Sequence, residues 1–92
     1  MMTIRPAEDY PLVLAFDGTV LEVFRHSSSE RVHVSLIDNL ELKTDKKGKH
    51  TLDINAAGKY TMQGNAVDEP SCPKVGRLIA EVQKAKAAFR FD

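Results

Sequence analysis

A chain of 92 residues is long enough for one domain with its core and leaves little room for a deep catalytic cleft besides. Its 13 lysines and arginines balance 13 acidic residues, which argues against broad electrostatic attachment to nucleic acid or to an anionic membrane and leaves only local patches for such contacts. One cysteine excludes an intrachain disulfide, and neither a signal-peptide run nor a window approaching the ~20 apolar residues of a membrane span occurs, so a soluble, cytoplasmic protein is the expectation.

Residues 1–9 contain Pro6 and several charges, and are read as a flexible leader to a single domain over 10–92. Tyr10 to Phe16 and Thr19 to Arg25 are β-rich runs around Asp17-Gly18, a strong signal for a type I′ hairpin. A two-residue loop there sets Phe16 opposite Thr19, Leu14 opposite Leu21 and Leu12 opposite Val23. The other face then carries Val13, Ala15, Val20, Glu22 and Phe24, more apolar than a solvated face should be. After a polar loop, His26 to Glu30, the next strand alternates from Arg31 to Leu36, with Val32 and Val34 on one side. Ile37-Asp38-Asn39 then forms either a short turn or a bulge within one bent strand.

Leu40 and Leu42 alternate with Glu41 and Lys43 up to a charged turn, where Gly48 suits a left-handed position. His50 to Asn55 reads as a strand with Leu52 and Ile54 inward. Ala56-Ala57-Gly58 turns the chain into a last strand, Lys59 to Val67, with Tyr60 and Met62 on one face and a kink or early stop at Gly64-Asn65. The clearest helix is Ser71 to Arg90, where Val75, Leu78, Ile79, Val82, Ala85 and Phe89 recur at spacings of three and four. Ser71 is the expected N-cap, with Asp68 competing, and Pro73 fits the first turn. Gly76 implies close approach to a sheet or a later helix start.

The expected class is α+β: an antiparallel meander of about six strands closed by one C-terminal amphipathic helix. Phe16-Asp17-Gly18-Thr19-Val20-Leu21, the run Arg31 to Ile37, and the helix with Val75, Leu78, Ile79 and Val82 together resemble the pleckstrin-homology-like (PH-like) domains, in particular the short bacterial members. The resemblance spans Tyr10 to Arg90 and is one of pattern and order. It implies a partial barrel plugged by the helix, and a binding or assembly scaffold that is often oligomeric. An ordinary open sheet with a helix on one face predicts much the same pattern. Six strands are read where the full fold has seven. The first hairpin loop lacks the basic residues of phosphoinositide-binding members, so that activity is not carried over.

Val13, Ala15, Val20 and Phe24 are the candidate protein-interface residues, since apolar positions on an outer sheet face commonly mark self-association or a partner site. Lys43, Lys46, Lys47 and Lys49, with His50, form the basic cluster, a candidate site for polyanion or anionic lipid at the membrane surface, or a soluble hairpin tip. Cys72 in the first helical turn is a candidate reactive thiol, because a helix N-terminus lowers a thiol pKa; packing at the helix start is the plainer reading. His33 and His50 fall on strands that can be neighbours, but no metal-ligand spacing accompanies them or His26. The expectation is a non-enzymatic module acting through a protein partner or a second copy of itself. Peripheral polyanion binding through residues 43–50 is the alternative, and no cofactor, metal or nucleic-acid partner is expected.

Overall fold

The computed structural model describes residues 2–56 and 60–89. The chain is α+β, with seven strands among these residues and one long helix at the C-terminal end. Strands β1 (Met2–Ile4), β2 (Leu12–Phe16), β3 (Val20–Arg25) and β4 (Ser29–His33) form an antiparallel sheet in chain order. A 3₁₀ turn, Val34–Leu36, carries the chain into a second antiparallel sheet of β5 (Ile37–Thr44), β6 (His50–Ala56) and β7 (Tyr60–Val67). A second 3₁₀ turn, Glu69–Ser71, leads into helix α1 (Cys72–Ala88).

Alternation explains the two sheets. Leu12, Leu14, Phe16, Leu21, Val23 and Val32 from the first, and Leu40, Leu52, Ile54 and Met62 from the second, converge in one core. Val75, Leu78 and Val82, at helical spacing, close it, and Ile79 and Ala85 pack at its margin. No pairing joins the two sheets among the described residues, so they face the core as separate layers and are not hydrogen-bonded into a barrel.

The expected leader is in part a strand. Met2–Ile4 pairs with β2, placing Ile4 opposite Leu14, and Ile4, Pro6 and Ala7 are buried. Three further bonds clasp this segment to the helix entry. The Glu8 amide donates to Asp68 Oδ2 at 2.8 Å, the Asp68 amide to the Pro6 carbonyl at 2.8 Å, and Ser71 Oγ to the Arg5 carbonyl at 3.4 Å. Ser71 still occupies the N-cap position, but its hydroxyl serves Arg5 and makes no capping bond.

The first hairpin differs in register by two residues. Phe16 faces Leu21 and Leu14 faces Val23, so Gly18 and Thr19 are the central turn residues. Gly18 has φ +101°, and no non-glycine described residue has positive φ, which excludes Asp17 from a type I′ centre. Asp17 instead accepts the Thr19 and Val20 amides through its side chain, each at 2.8 Å, closing the turn from outside. A shift of two preserves every face, so the expected core residues remain inward and only Thr19 leaves them.

The interruption expected at Ile37–Asn39 is a 3₁₀ turn over Val34–Leu36 followed by a register shift between Ile37 and Asn39. Gly64, at φ +71°, supports an irregularity in β7 where the register against β6 shifts, and the strand continues to Val67. Gly76 has open space where a side chain would project, and the helix starts four residues before it, so neither sequence explanation of this glycine holds. Phe89 caps the helix in extended conformation instead of continuing it. The turn at Ala57-Gly58, the strand start at Lys59, the Tyr60 side chain and Arg90 lie outside what is described.

Candidate functional site

The two sheets differ on their outer faces. In the second sheet Asn39, Glu41, Lys43, Asp53, Asn55 and Thr61 point away from the core, the polar ladder of a sheet bathed on one side. In the first, β2 and β3 place Val13, Ala15, Val20, Glu22 and Phe24 outward, flanked by Thr3 of β1 and by Ser29, Arg31 and His33 of β4. Val13 sits opposite Phe24, which is 40% exposed, while Val13 and Val20 are half-buried. Ala15 is buried between its cross-strand neighbours Thr3 and Glu22 and presents little surface. Glu22 also faces Arg31 of β4, with Arg31 Nε 3.9 Å from Glu22 Oε2, so one acid and one base cross the apolar face.

The basic turn divides. Lys43 Nζ lies 2.9 Å from Asp53 Oδ2, and that carboxylate, with Glu41, raises the lysine pKa. Lys43 therefore belongs to the second sheet's ion pairing more than to a free cation cluster. Asp45 Oδ1 accepts the amides of Lys47 at 2.9 Å and Lys49 at 2.8 Å, building the turn and placing a carboxylate amid Lys46, Lys47 and Lys49. Those three side chains are exposed, and the adjoining negative charge weakens them as a polyanion site.

The histidines lie in different places. His26 is in the β3–β4 turn, and His33 ends β4 in one sheet while His50 starts β6 in the other, so the two are not on neighbouring strands. His33 Nδ1 meets Ser35 Oγ at 2.8 Å, and its ring sits edge-on to Phe89 with centroids 4.6 Å apart. His50 Nε2 donates to Glu69 Oε2 at 2.8 Å, while Nδ1 meets Thr44 Oγ1 at 2.8 Å, tying the β5–β6 hairpin to the helix entry. No group of three potential metal ligands forms among the described residues. Cys72 is half-buried, its thiol 3.5 Å from the Asp68 carbonyl. Desolvation first, then the charges of Glu69 and Asp68, push its pKa above the usual thiol value, the opposite of activation by a helix N-terminus.

Two adjoining cavities open between α1 and the first sheet. One, of about 350 Å³, is lined by Met2, Thr3, Ile4, Lys74 and Arg77. The other, of about 330 Å³, is lined by Met2, Phe16, Asp17, Gly18 and Glu81. The backbone amides of Val20 and Thr19 hold the Asp17 carboxyl below its ordinary range, so that end keeps its negative charge.

No family model matches the chain, and neither a curated relative nor a solved structure does.

The cavity residues escape a sequence reading because β1 is only three residues long and its partner lies across a loop. Without β1 in place, Lys74, Arg77 and Glu81 read as an ordinary solvated helix face. No helix among the described residues is long and apolar enough to cross a membrane.

Proposed function

We propose that this chain is a non-enzymatic, PH-like assembly module that pairs with a second copy of itself through the outer face of its four-stranded sheet. The observation that carries the reading is Phe24, 40% exposed beside Val13 on a face whose counterpart in the second sheet presents polar side chains and the small Ala66. An apolar ring held on a rigid strand gains by being covered, at roughly 25 cal/mol for each Å² of apolar surface removed from water. Glu22 and Arg31 favour a second copy as the cover. They face each other across β3 and β4 and balance in charge, so two copies meet on this face without repulsion and without an ion pair between copies for salt to screen. Four antiparallel strands, then three, then a C-terminal helix is the element order that supports the PH-like assignment.

Light scattering after gel filtration tests this over a tenfold dilution and at two salt concentrations. A dimer indifferent to salt is expected, with Phe24→Asp giving a folded monomer. Wild-type protein that is monomeric throughout, or a Phe24→Asp variant that dimerises unchanged, overturns the reading.

A further inference from the structure

The groove between α1 and the first sheet has properties that neither the dimer face nor the basic hairpin explains. Its helix wall presents Lys74, Arg77 and Glu81, all exposed and separated by three and four residues, which aligns them along one side of the helix. Its opposite wall is β1, the end strand of its sheet, and the β2–β3 turn. The charges are segregated. Lys74 and Arg77 flank one cavity, Asp17 and Glu81 the other, and Met2 lies in the lining of both.

An end strand in an antiparallel pair turns half of its N–H and C=O groups away from its partner, so β1 offers main-chain donors and acceptors along this groove. From the basic pair to Glu81 is four to seven helical residues, roughly 6–10 Å along the axis at ~1.5 Å per residue. An extended chain spans the lower part of that range in two residues at ~3.3 Å each, and residues two apart point to the same face.

We propose that the groove binds an extended peptide segment of a partner protein that carries an acidic and a basic side chain two residues apart, so that both point to the same face. The acid meets Lys74 and Arg77 and the base meets Asp17 and Glu81, while the residue between them turns to the other face of the segment. Main-chain groups at the edge of β1 hold the segment extended, and the charge order selects it. A simple polyanion matches one cavity and is repelled by the other.

The probe is a fluorescent pentapeptide, Gly-Glu-Leu-Lys-Gly, compared by anisotropy with an all-acidic version (Lys to Glu) and an all-basic one (Glu to Lys). The mixed peptide binds wild-type protein more tightly than either control. A double variant, Lys74→Glu with Arg77→Glu, weakens the mixed peptide by roughly tenfold and favours the all-basic one, while Glu81→Lys favours the all-acidic one. Unchanged circular dichroism and thermal unfolding establish that both variants are folded, and Phe24→Asp retains mixed-peptide binding, which separates this groove from the dimer face. No mixed-peptide binding at millimolar protein, equal or tighter binding of the all-acidic peptide to wild type, or indifference to both variants overturns the proposal.

Discussion

Tyr10 and Asn65 join the two sheets: the phenol just ahead of β2 donates to Asn65 Oδ1 on β7 at 3.2 Å. Asn65 is fully buried, and its amide donates to the carbonyls of Leu52 at 2.8 Å and Met62 at 3.4 Å. It thus satisfies main-chain groups where the register of β7 against β6 shifts, beside Gly64. Replacing Asn65 by leucine strands the Leu52 carbonyl and the Tyr10 hydroxyl, and is expected to cost about 3 kcal/mol of unfolding free energy. Tyr10→Phe costs about 1 kcal/mol. Urea unfolding of both single variants and the double variant measures the coupling, and additive losses would remove the direct link.

Gly76→Ala is expected to stabilise the protein. The glycine is an interior helical residue, exposed, with no atom near the position of an added Cβ, so alanine gains helix propensity without a clash. The gain is about 0.5–1 kcal/mol, readable as a higher urea midpoint at unchanged slope.

Asp53 makes stability depend on acid. The Gly64 amide, at 2.9 Å from Oδ1, and then Lys43 hold its carboxyl below the usual range. A folded pKa below the unfolded value contributes stability that is fully present above the unfolded value, near pH 4, and is lost as pH falls through the folded one. The melting-temperature difference between wild type and Asp53→Asn should therefore be constant above about pH 5 and shrink below about pH 4. Asp17, lowered by its turn amides, adds a loss of the same sign.

Cys72 is expected to react slowly. With its thiol pKa raised by burial and by Glu69 and Asp68, iodoacetamide at pH 8 should alkylate the folded protein several-fold more slowly than the urea-unfolded chain. Glu69→Gln with Asp68→Asn should narrow that gap. Faster reaction in the folded state would mean that the helix N-terminus prevails.

Much of the fold is legible in residue order. The stripe Val75, Leu78 and Val82 demands an apolar partner surface, and the alternation from Leu12 through Ile54 supplies sheets to provide it. The core survived a two-residue error in the first hairpin because period-two alternation is unchanged by an even shift, so Leu14 and Leu21 stay inward whether or not they face each other. Gly18 was readable as a turn residue, but which neighbours frame it depends on Asp17 binding the Thr19 and Val20 amides. Of the four outer-face candidates, Phe24 is exposed and Ala15 is covered, a distinction set by cross-strand neighbours and absent from the pattern of the strand itself.

What the amino-acid order determined by itself is what local periodicity encodes, two kinds of strand face, one amphipathic helix and the glycine turns at Gly18 and Gly48, together with the exclusion of an intrachain disulfide by a single cysteine. Only the tertiary structure decided the rest. Met2–Ile4 becomes a strand because residues distant in the chain, Leu14 to Phe16, supply its hydrogen bonds, and Asp68 and Ser71 clasp the segment that follows. Lys43 leaves the basic cluster because Asp53 stands on the adjacent strand. Lys74, Arg77 and Glu81 become one wall of a groove because β1 lies across from them. Each of these outcomes is a pairing between distant segments, and such pairings are created when the chain closes on its core.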